Sequence, residues 1–439
     1  MIMRETLAKL IDESSDLKTV REQLEKRQVN VMDRLDNVED SGRRKELEAE
    51  LQEIEDDLLS VAALMEKISM GMLRDEGEDF SDLKGPREGV AQKTAQKTLS
   101  FQSKQDRLWE AKRLLDTNDY EKGVTAIREL AEEGYPMAQN ELGYMYMVPV
   151  RVGKNEKEAV KWFQRAADQG DAAAQCNMGR AYRRGCGVEQ NYEKAMQWYR
   201  KSAEQDDMTA WRELGDMYYS GLGVKKDYIT AAECYCEATK LGDICAPWDW
   251  GYMYEKGIGV EQDIEGAFGL YKLSAERGYD VAQNRLGLMY KRGEGVEQNM
   301  RKAVEWLQKA SDQGHLYAQV NLGDMYYFGE GVQKNYEKAV ECYQKAAEGG
   351  YSGGQWSLGR MYANGLGVEQ DYAKAVMWYE KGAAQGNMYA QNNLGVLYEN
   401  GHGVPKNLAK AEELFRKAAE QGNEKAKNNL ARLRHQRSR

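Results

Sequence analysis

An all-α solenoid is the fold that this 439-residue sequence predicts. Three observations predict it. First, a glycine among apolar residues recurs at Gly143, Gly179, Gly215, Gly251, Gly287, Gly323, Gly359 and Gly395, always at a step of 36 residues. A fixed period of roughly 20 to 50 residues marks stacked supersecondary units. Second, three residues beyond this marker glycine stands Tyr146, Tyr182, Tyr218, Tyr254, Tyr290, Tyr326, Tyr362 or Tyr398, without exception. Third, an alanine follows 16 residues after the marker in every copy, from Ala159 to Ala411, and an Asn or Asp 12 residues after it, from Asn155 to Asn407.

Each part of a repeat has a physical reason. A glycine within an apolar run is what close helix approach needs, since it carries no Cβ. The Asn or Asp precedes runs such as Lys302-Ala303-Val304-Glu305-Trp306-Leu307, which places it at the N-cap of a second helix. Between the helices, Gly-x-Gly-Val (Gly293 to Val296) supplies left-handed backbone for a C-cap and turn. A Gln-Gly such as Gln313-Gly314 closes the second helix. Every repeat is thus an antiparallel helix pair.

The pattern A-x-x-x-L-G-x-x-Y-x-x-G-x-G-V-x-x-[ND]-x-x-K-A-x-x-W-Y-x-K-A-A-x-Q-G resembles the Sel1-like repeat family, relatives of the tetratricopeptide repeat, over about residues 134 to 436. The resemblance implies a helix-turn-helix solenoid. It also implies an adaptor that binds other proteins, with no chemistry and no cofactor.

Taken in order, residues 1–73 predict a coiled-coil helical hairpin. Leu10, Leu17, Leu24, Val31 and Val38 fall seven apart, and Leu47, Leu51, Ile54, Leu58, Val61, Met65, Ile68 and Met72 alternate steps of four and three. Asp40-Ser41-Gly42 turns the chain between them. A hairpin this thin buries little, so a homodimer or a docking role is expected of it. Residues 74–97 are polar and aperiodic and read as a flexible linker. Residues 98–134 hold the repeat phase without the marker glycine and read as a degenerate capping repeat, residues 135–422 as the eight repeats, and 423–439 as a capping helix with a basic tail.

Composition narrows the function. The formal charge is −10, and residues 1–73 hold 18 Asp and Glu against 11 Lys and Arg, so the acidity is concentrated there and no basic footprint for nucleic acid is evident. There is no apolar leader at Met1-Ile2-Met3-Arg4-Glu5 and no run of about 18 apolar residues, so the expectation is a cytoplasmic chain without a membrane span. Neither phosphate-loop motif occurs, and the Gly-x-Gly segments follow no strand. His315, His402 and His435 lie far apart, with His402 at a turn tip, and no G-x-S-x-G elbow exists. No catalytic, cofactor or metal residue is predicted. Among the six cysteines, Cys234 and Cys342 replace the tryptophan of Trp162, Trp198, Trp306 and Trp378. Cys234, Cys236 and Cys245 lack a fourth metal ligand, and the cysteine spacing does not recur as in the disulfide-bearing branch of the family, so free thiols are expected. Pro247 and Trp250 make their repeat the most divergent, a candidate notch.

Partner recognition is expected on the concave face, which the first helix of each pair lines. Positions one and four after the marker vary freely and favour residues common at interfaces. The candidates are Tyr144, Met147, Arg180, Arg183, Arg184, Asp216, Tyr219, Tyr252, Lys291, Asp324, Tyr327 and Arg360. Arg180, Arg183 and Arg184 form a basic patch suited to a carboxylate or phosphate. The reading is a non-enzymatic scaffold for a protein or peptide partner. The alternatives are a regulatory or host-directed effector subunit, or a nucleic-acid-associated subunit working through that arginine patch.

Overall fold

A computed structural model describes residues 104–115, 117, 119–148 and 153–437. The hairpin expected over residues 1–73, the linker over 74–97 and the first six residues of the capping repeat lie outside the described residues. Among the described residues there are 19 α-helices and no strand. Helix α1 covers 104–115, followed by α2 (Tyr120–Glu132), α3 (Pro136–Met147), α4 (Glu156–Asp168), α5 (Ala172–Arg184), α6 (Tyr192–Ala203), α7 (Met208–Ser220), α8 (Tyr228–Lys240), α9 (Ala246–Lys256) and α10 (Ile264–Glu276). Then come α11 (Asp280–Arg292), α12 (Met300–Asp312), α13 (Leu316–Phe328), α14 (Tyr336–Glu348), α15 (Ser352–Asn364), α16 (Tyr372–Ala384), α17 (Met388–Asn400), α18 (Leu408–Glu420) and α19 (Glu424–Arg437).

From α3 onward, odd-numbered helices are the first and even-numbered the second of each pair, and every helix packs on its neighbours in sequence. That is the connectivity of a solenoid. First helices also touch across repeats, as α3 does α5, α13 does α15 and α15 does α17. The first-helix side is therefore the crowded side of the stack.

The marker glycine works differently from expectation. What lies nearest to it is a side chain of the second helix, a ring in seven repeats and Leu307 at Gly287, with the backbone carbonyl of the invariant alanine close behind at Gly143 and Gly287. A Cβ on Gly179 would lie 2.5 Å from the ring of Tyr199, one on Gly323 2.6 Å from Tyr343, and one on Gly395 2.7 Å from Phe415. These rings stand 20 residues after the marker and are essentially fully buried. The invariant alanines, Ala159 to Ala411, are fully buried as well.

Turns and caps follow the sequence pattern. All eight Asn and Asp side chains, Asn155 to Asn407, accept a hydrogen bond from a backbone N–H in the first turn of the second helix. Their own N–H groups donate to the carbonyl of the invariant tyrosine, as Asn335 does to Tyr326 at 2.9 Å. The tyrosine is thus fixed partly by its backbone. Gly187, at φ 74°, is required twice over, since a Cβ there would also strike the Glu156 carbonyl of the preceding repeat at 2.2 Å.

A glutamine rung closes most repeats. Gln169 donates to Gln139 at 2.8 Å, and Gln205–Gln175, Gln313–Gln283, Gln385–Gln355 and Gln421–Gln391 repeat it. Where the rung is missing, the substitutions differ. In one repeat both members have turned apolar together, to Trp211 and Leu241. In the next, Arg277 reaches back to the carbonyls of Asp243 and Thr239. In the repeat of α13 and α14 only one member is lost: Gly349 replaces the donor, and the buried Gln319 Oε1 has no partner.

At the two ends, Leu108, Ala111 and Leu115 of α1 join Leu142 and Trp162 in one cluster, and Leu433 of α19 packs on Phe415. Trp109, part of the same apolar pattern, is exposed.

Two changes test these contacts. Gly323→Ala is expected to lower the urea midpoint of the full chain by about 1–3 kcal/mol equivalent through overpacking on Tyr343. An alanine in an unconstrained helix would instead raise it by up to about 1 kcal/mol, so the sign decides. Gly349→Gln is expected to raise the melting temperature, by about 1 kcal/mol equivalent, as Gln319 Oε1 gains its donor. The Leu316 side chain must rotate to admit the new Cβ, and a lowered melting temperature would show that it does not.

Candidate protein-interaction surface

The rings that fill the marker glycines also reach the first-helix face with their hydroxyls. Tyr235 donates to Asp216 at 2.9 Å, Tyr271 to Glu255 at 2.9 Å and Tyr343 to Asp324 at 2.6 Å. Burial pushes the Asp216 and Asp324 carboxyls up, more than the tyrosine hydroxyls lower them. Two of the predicted site residues are thereby pinned from beneath by the core.

The remaining candidates fall into three settings. Tyr144, Tyr252 and Arg184 are exposed, and Met147 is half-buried. Tyr219 meets Tyr228 edge-on at 5.3 Å. Lys291 pairs with Glu330 at 2.7 Å across a repeat boundary. Arg180 and Arg183 both bind Glu213 on the next repeat, Arg180 through Nε at 2.8 Å, and Arg183 also approaches Asp216 at 3.6 Å. The carboxylate suited to that arginine patch thus comes from this chain. Burial pushes the Glu213 carboxyl up, but Arg180, with Arg183 and Arg212, outweighs this and holds it below the usual range.

The predicted candidates stand one, four or, for Arg184, five residues after the marker, and so leave out Glu213. Position two before the marker lies one turn earlier on the same stripe and was legible from the helix period. It also brings in Asp249 and Arg285.

Charge matching across repeats is general here. Lys112 meets Glu141 at 2.7 Å, Arg285 meets Glu255 at 3.0 Å and Arg432 meets Glu399 at 2.8 Å. Among the candidates, Arg184 is exposed without an ion pair among the described residues, and Arg360 differs from it in being walled by rings. Its guanidinium lies 4.4 Å from the Tyr327 ring and 4.9 Å from that of Trp356, and its buried Nε has no acceptor. Tyr327 in turn contacts Phe328 and Tyr336. The stripe therefore carries one aromatic-walled cation without a carboxylate in ion-pair range among the described residues.

Other chemistry finds little footing. Among the described residues no group of three or more His, Cys, Asp or Glu is placed to hold a metal, and no helix is long and apolar enough to cross a membrane. All six cysteines are free thiols. His315 caps α13, accepting at Nδ1 from Ala318 N–H at 3.1 Å, and His402 stacks on Tyr372. Pro247 and Trp250 lie within α9, where Pro247 is a first-turn residue and Trp250 packs beside Tyr254.

Among the described residues, Asp249 is the one strongly perturbed carboxylic acid. Burial, reinforced by Asp216 and Asp243 against the pull of Arg212, raises its carboxyl from 3.8 to about 7. A folded value above the unfolded one means that the neutral acid favours the fold. Its contribution is complete below about pH 4 and lost as pH rises toward about 7. Asp249→Asn is accordingly expected to stabilise the chain at pH 8, by about 1–2 kcal/mol after allowance for solvent relaxation, and to change little near pH 4. Equal unfolding midpoints at pH 8 would contradict this.

Comparison with known proteins agrees with this architecture. The Sel1 repeat model matches residues 136–171, 172–207, 212–243, 248–279, 280–315, 316–351, 352–387 and 389–423. No curated protein matches the chain. Among solved structures, a Sel1 repeat protein from Oxalobacter formigenes is similar at 30% identity over 74% of this chain and 93% of its own, with a TM-score of 0.52. A protective antigen of uropathogenic Escherichia coli strains, with an SLR fold, is similar at 31% identity over 76% of this chain and 80% of its own, with a TM-score of 0.44. Repeats of this kind generally act as protein-interaction scaffolds and are typically non-enzymatic. With eight matched units across more than half of its length, the chain belongs to the Sel1 repeat family.

Proposed function

We propose that this chain is a non-catalytic scaffold that binds an extended segment of a partner protein along the first-helix face. The observation that carries the reading is the charge arrangement of that face. Arg180, Arg183, Asp216, Lys291 and Asp324 are matched within the array or by the core and Arg184 is exposed, while Arg360 lies against the Tyr327 and Trp356 rings without an ion-paired carboxylate. Arginine and aromatic residues are the side chains that dominate binding energy at protein interfaces. A guanidinium already held planar between rings loses little freedom when a carboxylate arrives. The partner segment is therefore acidic at the point that meets Arg360, with apolar contacts toward exposed Tyr252 near the middle of the stripe and Tyr144 at its other end.

The heptad stretches of residues 1–73, read from sequence alone, supply a dimerisation or docking arm for this scaffold. A nucleic-acid role fits less well. Glu213 and Asp216 neutralise Arg180 and Arg183, which leaves Arg184 as the exposed cation of that patch.

The test is capture of partners from a lysate of the native host by the full-length chain and by Arg360→Ala. Position one after the marker tolerates Tyr144, Asp216 and Val396 in sibling repeats, so the variant is expected to fold. Loss of about tenfold or more of the captured partner is expected. Unchanged capture would sink the proposal, and retention on nucleic acid that falls steeply with salt would favour the other reading.

A further inference from the structure

The position 19 residues after the marker glycine is Trp162, Trp198, Trp306 or Trp378 in four repeats. Its indole fills a groove between the second helix of the preceding repeat, the first helix of its own repeat and the helix that bears it. Trp198 packs on the cluster that includes Val160 and Phe163 of α4 and Met178 of α5, and Trp378 belongs to the cluster that includes Val340 and Tyr343 of α14 and Met361 of α15. A cation three residues on covers each indole. Arg165 lies 4.4 Å from Trp162, Lys201 4.5 Å from Trp198, Lys309 4.1 Å from Trp306 and Lys381 4.2 Å from Trp378. The array thus shows four times what such a groove accommodates: a flat aromatic ring with a cation over it.

In α8 both members of the pair are gone. Cys234 occupies the tryptophan position and belongs to a cluster that includes Met196 and Tyr199 of α6 and Leu214 and Met217 of α7. Glu237 occupies the position of the cation. At Cys342, by contrast, the residue three on is still a cation, Lys345. The groove at Cys234 remains as an opening of about 600 Å³ walled by Trp211, Leu214 and Tyr218. Glu204, Glu233 and Glu237 stand around it. Arg200 also lines the opening and donates to the Tyr218 hydroxyl at 3.0 Å, and Lys240 nearby pairs with Glu237 at 2.6 Å, so both cations are partly engaged. Burial raises the Cys234 thiol to about 12, so it is a neutral, apolar floor and not a nucleophile at neutral pH.

We propose that this groove, between α6, α7 and α8, is a binding site for an aromatic side chain accompanied by a cation, supplied in trans by a segment of a partner protein. The occupant restores what the sibling grooves contain. Its ring takes the space of the missing indole against Trp211 and Tyr218, and its ammonium or guanidinium meets the acidic rim where the siblings have a cation of their own. The site lies between two second helices, apart from the first-helix stripe, so it does not depend on the function proposed above.

The experiment is calorimetric titration of the full-length chain with acetyl-Trp-Ala-Ala-Lys-amide, which sets ring and cation three residues apart. Saturable one-to-one binding, in about the millimolar range or tighter, is expected. Cys234→Trp fills the groove with the residue of four siblings and is expected to weaken binding at least about tenfold. Should that variant fail to fold, the surface pair Glu233→Gln and Glu237→Lys removes the acidic rim and is expected to weaken binding by about the same factor. Absence of saturable binding, or equal affinity in wild type and in whichever variant folds, would overturn the site. Tryptamine binding as tightly as the peptide would overturn its assignment to a protein segment, making a free aromatic amine the ligand.

Discussion

The contact on which the rest of this array depends is a side-chain ring laid against a glycine. Removing one Cβ from the first helix lets a tyrosine or phenylalanine of the second lie against its backbone, as Tyr199 does at Gly179 and Phe415 at Gly395. The ring sets the spacing of the pair, and the Asn or Asp cap, bonded to the invariant tyrosine's carbonyl, sets the turn between them. Because the same ring carries a hydroxyl in five repeats, the core also reaches the surface and holds carboxylates such as Asp216, Glu255 and Asp324 in place. Fold and recognition surface are built from one residue type.

Much of this was legible in the sequence. The period, the helix pairs, the eight caps and the left-handed turn glycines follow from residue chemistry alone, because each is a local device repeated in register. The reason for the marker glycine was only half legible. Periodicity shows that a Cβ is forbidden at Gly323, but what forbids it, the Tyr343 ring, lies 20 residues away on another helix. Charge pairing was less legible still. Arg180 and Arg183 look like an open basic patch until Glu213, 30 residues or more beyond, is placed beside them. Position two before the marker held the signal, and the face was drawn one turn too short to include it.

The same comparison of repeats with one another separates the two candidate recognition elements by kind. Arg360 stands out because its ring-walled guanidinium lacks the paired carboxylate that Arg180 and Arg183 have, while Cys234 stands out because the indole and cation of four siblings are gone and an acid-rimmed opening remains. In one case the vacancy is electrostatic, and in the other it is chiefly one of volume. An array in which most units satisfy themselves makes such departures visible without any second sequence.

The glutamine rungs have a mechanical consequence. Gln313 and Gln385 each bond a glutamine of their own repeat and also a carbonyl at the end of the repeat before, Gly278 and Gly350. These two rungs are therefore struts across a junction, stiffening the stack there against shear between adjacent units. Gly349 removes that strut from the junction between α12 and α14. Under a pull or twist from the ends, this junction yields more readily than the two strutted ones that flank it, within the repeat that presents Tyr327.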